Sequence, residues 1–467
     1  LRSDPGAGVL ASIFLDFSLP NAATWFYFSL LLTVALFFQF SRSLNLRNWD
    51  LLALFLLAPG FLILQEGHAS QAVAKALTTS AEQESALANA AQRIFFGYLW
   101  LLSVSAFWFA RLLVDLVLTR RPPGSPNLNL AGLSWFGIAL FAALCSVAVK
   151  RAPFETKPEV GKKPEAISQV GDRATDLVKN AQPSLGDTTS PEAVRVGVEL
   201  GLALACHFAV IAGMVLIGGR HFGDWTSGSA MATLYLLLPY TAMNIDQLHH
   251  VWPSAFLVWA VFFYRRPTVS GWLIGLAAGS AFLPLLLLPL WLGFYWRRGA
   301  GRFAWAFALA MAVSLGITGV ALWVDGRFTS MLTTTLRLSE WQAWKAPQTE
   351  SIWSGAHWAY RMPVFVLFAG FTLFIAFWPS PKNLAHLIAL SAAVFIGVQF
   401  WYADSGGVYV LWYLPLILLV AFRPNLTGHE PPAVSERRSY ALRLMRYLIR
   451  RTLRRPVSTS PTPVGAV

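Results

Sequence analysis

The chain has 467 residues, of which 56% are hydrophobic and only 13% charged, with a mean hydropathy of +0.53. A soluble protein carries about 25% charged residues, so a water-soluble domain is excluded. A net charge of +13 would suggest nucleic acid in a soluble protein, but here Arg and Lys gather in short loops between hydrophobic blocks.

Those blocks run for about 15–25 residues, the length that crosses a ~30 Å hydrocarbon core. In chain order they predict spans over 24–41, 50–65, 94–118, 129–149, 196–217, 229–243, 252–264, 271–282, 284–296, 303–323, 362–378, 384–401 and 408–422. The expectation is therefore an all-α, polytopic transmembrane helix bundle of about 13 spans. The pair that meets near Pro284 is short, which fits a re-entrant hairpin covered by neighbouring helices.

Arg42 and Arg47 follow the first span, Arg120 and Arg121 the third, Arg220 the fifth, and Arg265 and Arg266 the seventh. Arg297, Arg298 and Arg302 follow the ninth, and Lys382 the eleventh. If the spans alternate, all of these fall on one face, which the positive-inside rule makes cytoplasmic. The expected location is a bacterial inner membrane, multi-pass, with a cytoplasmic C-terminus. The first residue is Leu, and no basic head with a small-residue cleavage site comes after it. A missing upstream helix would change the span count and not the orientation of the later spans.

Six regions emerge. Residues 1–149 hold the N-terminal spans, with an Ala-rich polar outer segment over 66–92. Residues 150–195 have almost no large apolar side chain and predict a flexible extracytoplasmic loop. The central core covers 196–324, a Trp-rich extracytoplasmic loop 325–361, the last spans 362–422 and a basic tail 423–467. Trp341, Trp344, Trp353, Trp358 and Tyr360 crowd the Trp-rich loop, as an interfacial belt or as a platform for a sugar or lipid head. In the tail, Leu442, Met445, Ile449 and Leu453 share one face, while Arg443, Arg446, Arg450 and Arg454 share another. That pattern predicts a helix lying on anionic lipid, with no nucleic-acid partner. Cys145 and Cys206 lie within spans and read as small buried apolar residues.

The chain has no P-loop, dinucleotide fingerprint, paired-Cys metal site or HExxH. Its most polar short connection is Asn244-Ile245-Asp246-Gln247-Leu248-His249-His250. On a helical turn Asp246 and His249 would share a face, serving as base plus phosphate ligand or holding a divalent metal. A solvated turn is the plainer alternative, and two His with one Asp are few for a metal site. Glu66 closes a hydrophobic block on the same predicted face, either as a general base for a lipid-borne substrate or as a helix end. Asp16 and Asp404 are weaker candidates of the same kind. Arg337, Lys345 and Arg361 suit phosphate oxygens, and Trp344 sits among them in the outer loop. Arg111 and Asp115, four apart near the basic face, predict a structural i,i+4 pair.

The run from Leu234 to Trp305 has a Pro-ended span, a short polar turn with Gln247, and a span ending in Arg265 and Arg266. A Gly275-Leu276-Ala277-Ala278 run and a Pro-rich hydrophobic hairpin come next. Together with Tyr409-Val410-Leu411-Trp412-Tyr413-Leu414-Pro415, this resembles the GT-C-type polytopic glycosyltransferases, especially the alpha-mannosyltransferase-like group that uses polyprenyl-phosphate sugars. Asp246 stands where that group often has Gly, and Ala281 where it often has Lys. The resemblance implies transfer of a sugar from a polyprenyl-phosphate donor to an acceptor on the extracytoplasmic face, in contact with membrane lipids. It implies Glu66 or Asp246 as base, with Gln247, His249, His250, Arg337, Lys345, Trp344 and Arg361 around the substrate. No organic cofactor is implied, and a divalent metal stays open. The alternatives are a transporter of a lipid-linked or small polar solute, and a non-catalytic subunit related to the enzymes.

Overall fold

The computed structural model describes residues 22–77, 80–117, 126–151, 165–181, 191–324, 344, 351–354, 356–402 and 409–431, and no strand occurs among them. The helices are α1 (Ala22–Phe37), α2 (Leu46–Phe55), α3 (Leu57–Lys75), α4 (Ser80–Asp115), α5 (Leu130–Arg151), α6 (Glu165–Ala181), α7 (Pro191–Ile217) and α8 (Trp225–Leu237). They continue with α9 (Pro239–Met243), α10 (Leu248–Phe262), α11 (Pro267–Ala281), α12 (Leu288–Phe294), α13 (Ala300–Val324), α14 (Arg361–Phe377), α15 (Leu384–Trp401) and α16 (Val410–Phe422). In lipid the backbone must satisfy its own polar groups, so uninterrupted apolar sequence becomes helix.

Every predicted hydrophobic segment is largely helical, yet among the described residues only seven helices are long and apolar enough to cross a membrane. They are Leu46–Lys75, Ser80–Asp115, Leu130–Arg151, Val194–Phe222, Ala300–Val320, Trp358–Phe377 and Leu384–Trp401. These seven make the chain an integral membrane protein. The shorter apolar helices, of 10–17 residues, extend about 15–25 Å at 1.5 Å per residue.

Burial sorts the helices into a centre and a rim. All of α16 is buried, and in α15 only His386 and Phe400 are not. Helices apolar all round belong in the middle of a bundle. On the rim, Trp135, Ile138, Trp305, Val320, Leu367 and Phe377 leave large apolar surface exposed, as a lipid-facing surface must. Close approach is set by small residues. Gly271, Gly275 and Gly279 recur every fourth position along α11, and a Cβ on Gly275 would lie 2.4 Å from the Phe307 carbonyl of α13. Such small stripes replace the hydrophobic effect, which does not draw helices together in lipid.

One region departs from expectation. Within 150–195, residues 165–181 form α6, which packs on α7, α11 and α13. Ile167, Gly171 and Thr175, four apart, are buried on one side, while Leu177 and Val178 are exposed. The missing large residues had suggested a loop, but Ile167, Val170, Ala174, Leu177 and Val178 carry a helical stripe. Within the polar segment 66–92, residues 66–75 and 80–92 are helical, as the facing ends of α3 and α4, which pack on each other.

The basic helix ends come together. The Arg47 guanidinium lies 4.6 Å from the centre of the Phe422 ring, and Arg298 pairs with Glu430 at 2.7 Å. The Leu384 amide donates to the His429 carbonyl at 2.9 Å, and His386 Nε2 lies 3.3 Å from the Leu116 carbonyl. Residues following α1, α4, α10, α12, α14 and α16 therefore share one end of the bundle, its basic end.

Candidate functional site

The polar turn predicted from sequence joins α9 to α10. Gln247 is extended at φ −102° and ψ 100°, and α10 starts only at Leu248. Asp246 therefore stands outside the helix and does not share a helical face with His249, contrary to the spacing argument. Asp246 and Gln247 are half-buried, and Gln247 makes no side-chain cap bond. His249 and His250 are buried, with ring centres 4.2 Å apart.

Both histidines meet the start of α16. The Tyr409 ring lies 5.5 Å from that of His250, and Trp412 Nε1 donates to the His249 carbonyl at 3.1 Å. Beside them is a small pocket lined by Leu283, Phe395, Val398, Gln399, Tyr402, Tyr409, Trp412 and Tyr413, with a free interior of about 10 Å³. That is room for one water or one hydroxyl group. Sequence reasoning missed Gln399, although a lone amide in the apolar run of α15 is the kind of intramembrane polar residue that marks a site. It used the run from Tyr409 to Pro415 only as a family resemblance.

Glu66 is elsewhere. It lies inside α3, nine residues before the helix ends, so it is not a helix terminus. Its carboxylate accepts from Arg93 Nη1 at 2.8 Å, and both side chains are more than half exposed. The open groove beside it is lined only by α3 and α4 and by Leu77 of the turn between them. Asp246 is not among its lining residues.

Arg361 is buried at the start of α14, one turn before Phe365, whose ring meets Trp401 at 4.8 Å. Trp344 is exposed, whereas Trp353 Nε1 donates to the Phe400 carbonyl at 2.9 Å. Arg337, Lys345, Asp16, Asp404 and the tail from Arg437 lie outside the described residues. Among the described residues, no three His, Cys, Asp or Glu come together to hold a metal ion.

A second polar cluster sits near the basic end. Arg111 makes a two-pronged pair with Asp50, Nε to Oδ1 at 2.8 Å and Nη2 to Oδ2 at 2.9 Å. It also reaches Asp115 at 3.3 Å, the i,i+4 pair expected from sequence. Asp115 in turn receives Arg423 Nη2 at 2.7 Å. All four side chains are at least 92% buried, and they clasp α2, α4 and the end of α16. Lys382, in the connection after α14, donates to the Ala376 carbonyl at 3.0 Å. Burial pushes its amine down to about 8.

A third buried polar contact joins His207 Nδ1 of α7 to the Tyr235 hydroxyl of α8 at 2.8 Å. No family model, curated protein or solved structure matches this chain.

Proposed function

We propose that the chain is a membrane glycosyltransferase of the GT-C type. It would pass a sugar from a polyprenyl-phosphate donor to an acceptor at the end of the bundle opposite the basic loops. The observation that carries this is the meeting of His249, His250, Tyr409 and Trp412 beside an aromatic pocket, just inside the half-buried Asp246. Aromatic faces take the apolar faces of a sugar, and polar groups at that depth reach a lipid-borne phosphate.

In this reading Asp246 removes the acceptor hydroxyl proton, and Arg361 with the outer-loop cations Arg337 and Lys345 neutralises the leaving phosphate. Its pairing with Arg93, in a groove separate from that pocket, makes Glu66 the weaker base. The thirteen hydrophobic segments serve as spans or part-spans of a GT-C bundle in a bacterial inner membrane. The basic end and the tail 423–467 then face the cytoplasm and its anionic lipid.

The test is sugar transfer by purified protein, given labelled polyprenyl-phosphate mannose or glucose and a crude membrane acceptor. Asp246→Asn should lower the rate at least 100-fold, as loss of a general base does, and Glu66→Gln by much less. Full activity in both variants would remove the carboxylate mechanism. Donor binding without transfer would favour the non-catalytic subunit. A transporter is the second reading, because the buried Asp50–Arg111–Asp115–Arg423 clasp is the kind of charged network that closes one end of a transport path. Solute uptake into proteoliposomes without sugar transfer would favour it.

A further inference from the structure

The connections after α10 and α12 pack against each other at the basic end. The Tyr295 hydroxyl donates to the Tyr264 carbonyl at 2.6 Å, and a Cβ on Gly299 would lie 2.9 Å from Pro267 Cγ. Arg265 and Arg266 come from the first connection, Arg297 from the second and Arg302 from the first turn of α13, and all four are exposed. Glu430 takes the neighbouring Arg298 at 2.7 Å. Among the described residues, none of the four exposed arginines has a carboxylate partner. Arg297 also holds φ at 59°, in the left-handed region that glycine enters freely and a long side chain rarely does. Like charges on adjoining turns repel one another, and an anion among them relieves that repulsion.

The face of α13 that continues from these arginines is shaped for a lipid. Arg302 and Trp305 are three apart on the helix, and Leu309, Val313, Ile317 and Val320 extend the same exposed stripe. Trp305 is 72% exposed, and Trp296, beside Arg297, is 66% exposed. Tryptophan between charge and hydrocarbon lies at the level of the lipid headgroups. From Trp305 the stripe runs about 22 Å to Val320, longer than the ~15 Å of one leaflet's hydrocarbon. Cation, aromatic ring and apolar stripe thus come in the order of a phospholipid's phosphate, glycerol and acyl chain. An acidic protein or a nucleic acid would match the cations and leave the stripe unused. The rim helix α14 reaches the same end without such a set: Phe374, Phe377 and Trp378 are exposed, but Lys382 is buried against the Ala376 carbonyl.

We infer that Arg266, Arg297 and Arg302, with Trp296 and Trp305, form a binding site for one anionic phospholipid, whose acyl chain lies along the exposed face of α13. The guanidinium groups take the phosphate oxygens as charge-assisted forks, and the two indoles bracket the glycerol level. A zwitterionic lipid offers the same chains and phosphate, but its own ammonium group offsets the attraction, so the site prefers a lipid of net negative charge. This goes beyond a general affinity of the basic end for anionic lipid, because it places the preference in one pair of connections. It concerns the lipid around the protein and holds whichever reaction the chain carries out.

The experiment titrates the full-length protein in detergent with phosphatidylglycerol or phosphatidylcholine of identical acyl chains, and counts bound lipid by native mass spectrometry. The wild type should hold one phosphatidylglycerol at least tenfold more tightly than phosphatidylcholine. Arg297→Gly and Arg302→Gln should each lower that preference at least threefold, and the two together should abolish it. The double change Arg120→Gln with Arg121→Gln removes as much charge from another basic connection and should leave the preference intact. Inorganic phosphate in tenfold excess should not displace the lipid. Arg297→Gly should also unfold at or above the wild-type temperature in lipid-free detergent, because glycine relaxes the left-handed backbone. Equal binding of the two lipids by the wild type overturns the inference, as does an equal loss in the Arg120 and Arg121 control. Displacement by inorganic phosphate would make this a site for a free anion and overturn the lipid assignment. A marked loss of thermal stability in both Arg297→Gly and Arg302→Gln would make the arginines structural and overturn it as well.

Discussion

The two polar clusters of this bundle answer the same physical problem in different ways, one with charges and one without. Near the basic end, Asp50, Arg111, Asp115 and Arg423 are buried and satisfy one another through charged hydrogen bonds of 2.7–3.3 Å. At the other end, Gln399, Tyr413 and Ser105 are equally buried and lie side by side as uncharged groups, Gln399 and Tyr413 lining a small pocket. A network of charges that neutralise one another makes the fold specific, whereas uncharged polar groups beside a pocket can lend a hydrogen bond to a bound group. Stability is therefore sought at the first cluster and binding at the second.

The comparison can be broken most directly at the clasp. Asp115→Asn removes the carboxylate shared by Arg111 and Arg423 and leaves a buried excess of positive charge. A loss of about 3–5 kcal/mol is expected, read from chemical or thermal unfolding in detergent. A melt indistinguishable from wild type would show that the clasp does not hold α4 to the end of α16. The double replacement Asp50→Leu with Arg111→Leu should cost clearly less than Asp115→Asn, because it removes both charges of one pair. If the double change proves the worse of the two, the charges contribute more than mutual compensation.

Lys382 sharpens the same contrast through pH. Its amine is lowered from 10.5 to about 8, so the folded state resists protonation more than the unfolded state does. Between those values the unfolded chain binds more protons, and stability should rise with pH from about 8 towards 10.5. Below about 8 that contribution is fully lost. Thermal melts across this range should show a steeper upward trend for the wild type than for Lys382→Met; identical trends would mean the amine is not held down.

The smallest effect belongs to the exposed pair. Glu66 and Arg93 meet at 2.8 Å, but both side chains stay largely in solvent, so Glu66→Gln should change stability by less than about 1 kcal/mol. A larger loss would place the hairpin of α3 and α4 in the same class as the clasp.

Some of this was legible beforehand. Arg111 and Asp115 are neighbours on one helix, and a spacing of four announces their contact. Nothing local announces Asp50 or Arg423, which lie 61 and 308 residues from their partners. Asp246, His249 and His250 stood out because polar residues are rare between apolar spans, although the extended Gln247 separates Asp246 from the helix that carries the histidines. Gln399 is also a polar residue in an apolar run, but its meaning depends on Ser105 and Tyr413 arriving from α4 and α16.

Helicity, membrane residence and the gathering of basic residues at one end follow from the amino-acid order alone. Those properties come from composition and local order: apolar runs must close their own hydrogen bonds in lipid, and charge must stay near water or find a partner. Three-dimensional packing set which helices lie at the centre, which buried charges neutralise one another and which polar side chains meet. In lipid, apolar surface gives little preference among helix partners, so α11 finds α13 through Gly271, Gly275 and Gly279, and the clasp forms through residues distant in the chain. Contacts of that kind depend on three-dimensional register, which a single sequence pattern does not contain.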